Sequence, residues 1–299
     1  MNAPRKICVV TGAHGWLGRR VAAELERRGW QVRSAVRRPA PEAVANGEAV
    51  AFQLGAAVPL DLCAGAEALV HCAYDFQVRT WEEVRAGNVR GTERLLAAAQ
   101  AAGIRKIVVI STMSAFDGSV SIYGRAKLVL EKASLHAGAL VLRPGLIYGQ
   151  GAGGMFGSLV AQVQRARVLP LIGGGAQRLY LIHEQDLAGF IARFCAGEIA
   201  PPLQPLTAAH AQPWTFREIL ETIARGLGRK ITFFPLPWRP VWAALRCAEA
   251  CGLRLNFRSD SLVSLMNQDP QPDFSRTPRF GLQCRPFQIE DVLHNPPGV

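Results

Sequence analysis

The residues best suited to chemistry are Tyr123 and Lys127, in the run Tyr123-Gly124-Arg125-Ala126-Lys127. Hydride transfer to a carbonyl needs a proton donor near the developing alkoxide. A phenol, which titrates near ~10, serves this role near neutral pH when an ammonium beside it favours the phenolate. The i, i+4 spacing puts both side chains on one helix face. With four tyrosines and five lysines in 299 residues, chance rarely makes such a pair. The pair also follows the strand-like run Ile107-Val108-Val109-Ile110 and its end, Ser111-Thr112. Ligands bind at the C-terminal ends of strands in open α/β sheets, so position favours chemistry over an incidental Tyr and Lys on a solvated helix.

A second constellation suits a dinucleotide. Thr11-Gly12-Ala13-His14-Gly15-Trp16-Leu17-Gly18 follows the apolar run Ile7-Cys8-Val9-Val10 and leads into an amphipathic stretch, Arg19 to Arg28. Strand, glycine turn and helix in that order let a diphosphate sit on the free N–H groups of a helix N-terminus. Gly12 permits the tight turn, Gly15 lets backbone approach phosphate, and Gly18 lets helix pack on strand. The intervening His14, Trp16 and Leu17 complete the loop. About twenty residues on, an NAD-selective site usually carries a carboxylate for the ribose 2′-hydroxyl. Here the strand ends Val36-Arg37-Arg38. Guanidinium forks bind phosphate and a carboxylate repels it, so Arg37 and Arg38 favour NADP(H) over NAD(H).

These residues need a frame. Apolar runs at 7–10, 32–36, 68–73, 106–111 and 139–142 alternate with helical patterns at 16–28, 81–102 and 121–136. That alternation predicts an α/β fold, a doubly wound parallel sheet with helices on both faces. Residues 1–150 are expected to form the cofactor-binding domain. Residues 151–299 are expected to form a smaller, mixed, substrate-facing region, with some segments returning to the core sheet. It starts with a glycine-rich loop over 149–157, a helix near 158–166 and the turn Gly173-Gly174-Gly175. Within it, Trp238, Trp242, Leu245 and Leu253 give an apolar face interrupted by Arg246 and Glu249. A packing helix, a wall for an apolar substrate and a membrane contact are all open uses of that stretch.

Composition narrows the classes. Net charge is +11, but 29 of the 34 basic residues are scattered arginines without an aromatic-interleaved patch, which argues against nucleic acid. No run of eighteen apolar residues occurs, so no transmembrane segment is expected. Pro4-Arg5-Lys6 lead into the first strand without the pattern of a signal peptide. The seven cysteines show no CxxC or Cys/His cluster, which predicts reduced, buried thiols in a cytoplasmic protein and no metal site.

The GxxGxxG spacing and four further segments resemble the extended short-chain dehydrogenases/reductases, the NAD(P)-dependent epimerase/dehydratase-like family, over roughly the whole chain. Asn88-Val89-Arg90-Gly91-Thr92 with Leu95-Leu96 resembles the family's NVxGTxxLL helix. Leu142 to Gly149 resembles its LRPxxxYG segment, and Leu181-Ile182-His183 through Asp186-Leu187-Ala188 a later VHVxDLA-like one. The resemblance implies a Rossmann-like fold, with Tyr123 as acid/base. It implies that Lys127 binds the ribose hydroxyls and lowers the Tyr123 pKa. It gives Thr112 a hydrogen bond to the substrate oxygen, against a plain strand-end cap. It makes Asn88 a structural residue near the cofactor, against a plain helix cap. Ala73 would lie on the adenosine side, and Pro144 to Leu146 beside the nicotinamide. Where the family usually offers adenine an Asp, this chain has Gln53, followed by Leu54.

Three departures narrow the branch. Met113-Ser114 stand where family dehydratases carry Asp-Glu, Leu146 stands where epimerases commonly have Asn, and Arg178 falls one position early, with Leu179 in its place. The resulting expectation is an oxidoreductase for a small or apolar hydroxy/oxo compound, with slight resemblance to steroid dehydrogenases. A nucleotide-sugar epimerase using Arg143 or Arg178, and a non-catalytic NADP(H) sensor or assembly protein, stay open. A homodimer through the helices carrying Asn88 and Tyr123 is the implied assembly.

Overall fold

Each of the five apolar runs becomes a strand, because continuous β-branched and aliphatic residues suit a strand buried on both faces. In the computed structural model, which describes residues 6–39, 48–253, 255 and 257–293, these are β1 (Ile7–Thr11), β2 (Gln31–Val36), β4 (Ala68–His71), β5 (Lys106–Ile110) and β6 (Leu140–Pro144). Pro4 and Arg5 lie outside the described residues. A short strand, β3 (Glu48–Ala51), adds to one edge, and Leu206–Ala208 adds to the other. Between them come β7 (Leu146–Tyr148), β8 (Val168–Ile172), β9 (Arg178–Leu179) and β10 (Leu181–His183), which makes Leu206–Ala208 β11. The main sheet has the order β11-β6-β5-β4-β1-β2-β3, and every pairing in it is parallel. The order reverses between β1 and β4, the position at which open α/β sheets bind ligands beyond the C-terminal ends of the strands.

Helix α1 (Trp16–Arg27) follows β1. The long helical run expected at 81–102 is interrupted: α2 (Trp81–Val84) passes through a π-helical turn, Arg85–Val89, into α3 (Arg90–Ala101). Helices α4 (Ile122–His136), α5 (Gly154–Arg165), α6 (Glu184–Ala196) and α7 (Phe216–Gly226) follow, α5 beginning four residues before the expected 158. Side chains alternate along β1. Cys8 and Val10 pack with Val21 and Leu25 of α1 and Ile191 of α6, while Val9 packs with Leu95, Leu96 and Ala99 of α3. A separate core around Tyr148, Phe156, Leu171 and Ile223 joins α5 and α7 over the C-terminal half. Fully burying a residue such as Leu25 contributes ~1.5–3 kcal/mol, so each layer is held firmly.

Residues 168–266 add β12 (Trp214–Thr215), β13 (Thr232–Leu236), α8 (Trp238–Ala250) and α9 (Ser259–Met266). The small pairs β7–β10, β9–β12 and β8–β13 lie outside the main sheet. One sequence expectation needs correction here. All seven cysteines are free, but Cys247 and Cys251 are exposed on and beside α8 rather than buried. Helix α8 packs on α9 with none of its thirteen residues fully buried.

Candidate active site

The sheet brings the predicted residues to one edge. Thr11, at the end of β1, is level with His71 of β4, and His71 with Val109 of β5, so Gly12, Ala73 and Ser111–Thr112 follow at similar heights. Gly12 has φ +68°, where only glycine is unstrained, and a Cβ there would press on the backbone of Ala73. A Cβ on Gly18 would overlap the Gly12 carbonyl oxygen. Gly15 is the N-cap of α1 and no side chain caps that end, so the leading N–H groups at Trp16 and Leu17 are left for a ligand. The Trp16 Nε1 is buried without a partner among the described residues, and His14 is exposed, its carbonyl accepting from Arg19 Nε at 2.9 Å. A glycine cradle with an uncapped helix end fits a dinucleotide diphosphate.

Arg37 and Arg38 stand exposed just past β2, and neither is engaged by a protein acceptor among the described residues. Gln53 is exposed and Leu54 half-buried beyond β3. Two features set the neighbouring backbone. Thr11 Oγ1 accepts from the Ala73 N–H at 3.2 Å and pairs with His71 Nδ1 at 2.7 Å, while His71 Nε2 reaches Thr92 Oγ1 at 2.9 Å. Burial, with Lys127 nearby, pushes His71 down to about 3, so it works here as a neutral tie. Asn88 is buried in the π-helical turn and grips Asp75 twice, Oδ1 accepting from its N–H at 2.7 Å and Nδ2 donating to its carbonyl at 3.0 Å. Asn88 is therefore a clamp on the loop after β4, not a helix cap. The His71 tie had no sequence signal beyond a histidine closing an apolar strand.

Tyr123 sits in the first turn of α4. Ser121 caps that helix by accepting from the Gly124 N–H at 3.0 Å. A second cap comes from far along the chain: Asp260, on α9, accepts from the Ile122 N–H at 2.7 Å and the Tyr123 N–H at 3.1 Å. A carboxylate there also meets the positive end of the helix dipole. The Tyr123 ring is walled by Tyr74 edge-on at 5.1 Å and by Phe76 at 5.7 Å. Thr112 is half-buried, accepts from the Ser114 N–H at 3.2 Å, and sits close enough to the Tyr123 phenol to hold its pKa down. The Met113 N–H donates to Pro144, which is buried, and Leu146 is half-buried beside it.

The electrostatics differ from the expectation. Burial pushes the Tyr123 phenol up to about 12, opposed by the nearby Thr112 side chain. Lys127 does not lower it: its Nζ donates to the Ile110 carbonyl at 2.7 Å and lies 4.8 Å from the Tyr74 ring centre and 5.9 Å from that of Tyr123. Burial pushes the ammonium down to about 8, with Cys72 and Glu131 pulling the other way. Glu131 itself accepts from Ser111 at 2.5 Å and from both arms of Arg143 at 2.7 and 2.6 Å. Arg143 is thus paired with the buried Glu131 while its own side chain stays partly exposed, and Arg178 is exposed.

Two consequences can be measured. Asp260→Ala removes a two-pronged cap worth ~1–2 kcal/mol, so thermal unfolding should fall by a few degrees. Turnover should fall ~10-fold while cofactor affinity holds, because the cap aligns Tyr123 and does not touch the glycine loop. Unchanged turnover would show that Ser121 alone positions the helix. For Lys127 the folded-state pKa is depressed from 10.5, so between about 8 and 10.5 the unfolded chain binds more protons. Stability contributed by this group therefore rises with pH across that window, by ~3 kcal/mol in all. Urea titrations of wild type and Lys127→Met should diverge there, the variant lacking that rise.

Comparison with known proteins agrees with this geometry. The family model "NAD dependent epimerase/dehydratase family" matches residues 8–198. "Ceramide reductase" of Caulobacter vibrioides is 33% identical over 239 residues, covering 78% of this chain and 74% of that protein. The "3 beta-hydroxysteroid dehydrogenase/Delta 5-->4-isomerase" of Mycobacterium tuberculosis is 27% identical, covering 74% and 70%. Among solved structures, MoeE5 in complex with UDP-glucuronic acid and NAD superposes with a TM-score of 0.67 at 23% identity, over 78% of this chain and 85% of that one, a likeness of fold. The chain belongs to the NAD-dependent epimerase/dehydratase family of extended short-chain dehydrogenases/reductases, and is a nicotinamide-dinucleotide-dependent oxidoreductase.

Proposed function

We propose that the protein is an NADP(H)-dependent reductase that interconverts a ketone or aldehyde and a hydroxyl on an apolar, lipid-like substrate. The observation that carries this is the grouping of Thr112, Tyr123 and Lys127 at the sheet edge, with Tyr74 and Phe76 as walls. When bound, the dinucleotide supplies or accepts the hydride. The phenol of Tyr123, held in its protonated form through the neutral range, donates its proton to the substrate oxygen in the reductive direction. Thr112 hydrogen-bonds the same oxygen. Lys127, anchored on Ile110, orients ribose hydroxyls and offers positive charge below pH about 8. Arg37 and Arg38 would take the 2′-phosphate, Gln53 and Leu54 the adenine, Ala73 the adenosine side, and Pro144 to Leu146 the nicotinamide side.

An apolar substrate is supported by the aromatic walls and by the relative named for reduction of a ceramide. The nucleotide-sugar epimerase reading loses Arg143 to its pairing with Glu131. The reading includes a cytoplasmic location and pairing of two copies through the helical segments carrying Asn88 and Tyr123. The test is NADPH oxidation followed at the nicotinamide absorbance, with long-chain keto amides, keto steroids and nucleotide sugars as substrates. Turnover of a keto amide or steroid is the expected result; turnover confined to nucleotide sugars would overturn the reading.

A further inference from the structure

The C-terminal arm carries an apolar surface that the reductase chemistry does not use. Helices α1 and α3 to α7 each bury several side chains, whereas α8 buries none. It packs on α9 with Val241, Leu245 and Ala248 half-buried. At 100° per residue, the opposite side presents Pro240, Ala243, Ala244, Cys247 and Ala250 to solvent, flanked on one side by Arg239 and Arg246, with the exposed Trp242 beyond the two arginines. The segment that follows keeps Leu253 56% and Phe257 39% exposed. Exposed large apolar residues gathered in one place mark an interaction site more often than chance surface does.

This surface reaches the mouth of the candidate active site. Arg79 Nη1 donates to the Leu253 carbonyl at 3.4 Å, and Arg258 Nη1 donates to the carbonyls of Phe76 and Val78 at 3.0 and 3.1 Å. The arm is thereby tied to the loop after β4. Phe76 on that loop is 62% exposed, yet its ring lies 5.7 Å from that of Tyr123. An apolar rim therefore runs from α8 to the proton donor.

Charge identifies the occupant. Residues 238–258 contain four arginines and one glutamate. That acid, Glu249, is turned inward, accepting from the Ser259 N–H at 2.9 Å and its hydroxyl at 2.6 Å, while Arg239 and Arg246 stay exposed. Tryptophan and arginine beside small apolar residues suit the headgroup boundary of a bilayer, and basic side chains are attracted to an anionic leaflet. A second copy of the same face would set arginine against arginine.

We infer that α8 and the rim Trp242, Leu253, Phe257 and Phe76 dock on the surface of an anionic lipid bilayer, turning the mouth at Tyr123 toward the membrane. The helix lies in the plane of the headgroups and does not span. This deepens the proposed function by naming where the substrate resides, and it rests on that reading for its purpose; the docking itself is measured without substrate.

The test is co-sedimentation of the full chain with vesicles of phosphatidylglycerol and phosphatidylcholine, and with vesicles of phosphatidylcholine alone. Binding to the anionic vesicles is expected, weakened by raised salt. Arg239→Glu with Arg246→Glu, and separately Leu253→Ser with Phe257→Ser, should each weaken it ~10-fold. NADPH affinity, unchanged in both double variants, shows that they fold. Quenching of tryptophan emission by acyl-chain-brominated lipid, reduced in Trp242→Phe, would place α8 in the interface. No binding to either vesicle, or binding indifferent to both double variants, overturns the inference. So does concentration-dependent self-association in the absence of lipid that these variants abolish. Vesicle binding without any keto-lipid turnover would leave docking standing and remove the proposed substrate. Keto-lipid turnover in detergent without vesicle binding would do the reverse.

Discussion

Tyr123→Phe should cut turnover by ~10²–10⁴ while leaving NADPH binding within ~2-fold. The substitution removes one oxygen and keeps the ring, so the packing against Tyr74 and Phe76 survives. The caps on α4 from Ser121 and Asp260 act on backbone N–H groups and do not depend on the phenol. What is lost is the proton delivered to the alkoxide and the phenol's polar contact with the substrate oxygen beside Thr112. Both matter chiefly in the transition state, which is why the effect should fall on turnover and not on cofactor affinity. Stopped-flow single turnovers and fluorescence titration separate the two quantities. If both fell together, Tyr123 would be a structural or cofactor-binding residue.

Arg37→Asp should weaken NADPH binding by ~10–100-fold or more and change NADH binding by no more than ~3-fold. A charge-assisted hydrogen bond contributes ~1.5–3 kcal/mol, and 1.4 kcal/mol is tenfold in affinity. The variant also places a carboxylate where a 2′-phosphate would sit, adding repulsion, while a 2′-hydroxyl accepts a carboxylate neighbour well. Arg37 is exposed, so its removal disturbs no core. The double variant with Arg38→Ala should lose more than the single. Equal losses for the two cofactors would show that neither guanidinium reads the 2′ position, and the preference for NADP(H) would fall.

The first half of the chain was legible because parallel strands covered on both faces must be nearly continuous apolar runs, and glycine between strand and helix leaves few alternatives. Ile7–Thr11, Lys106–Ile110 and the helix carrying Tyr123 fall within a residue or two of expectation. Less legible was whatever depends on pairing across long separations. Leu206–Ala208 is only three residues long and earns its place in the sheet from β6. Asp260 caps a helix 138 residues earlier, and no local pattern announces that. The interruption at Arg85–Val89 carries Asn88, which reaches across to Asp75, and periodicity registers neither.

Charge was read least well. The spacing of Tyr123 and Lys127 places them on one helix face, but the direction of each pKa depends on burial and on where the ammonium points. Lys127 donates to the Ile110 carbonyl, and burial of the Tyr123 ring pushes its phenol up to about 12. Likewise Arg143, which its spacing leaves free for a diphosphate, is paired with the buried Glu131. The Trp238 to Leu253 stretch was ambiguous for a different reason: an apolar stripe is the same whether it faces a core, a substrate or a lipid. The structure shows α8 packed on α9 with no residue fully buried, so much of its stripe is left at the surface.

The central claim is net hydride transfer to an apolar carbonyl, and isotope transfer reads it directly. NADPH deuterated at C4 of the nicotinamide would be incubated with the enzyme and a long-chain keto amide, and the product analysed by mass spectrometry. A deuterium on the carbinol carbon, with one NADP⁺ formed per product, is the result expected. Absence of label and of NADPH oxidation with every apolar carbonyl, alongside epimerisation of a nucleotide sugar without net cofactor turnover, would contradict it.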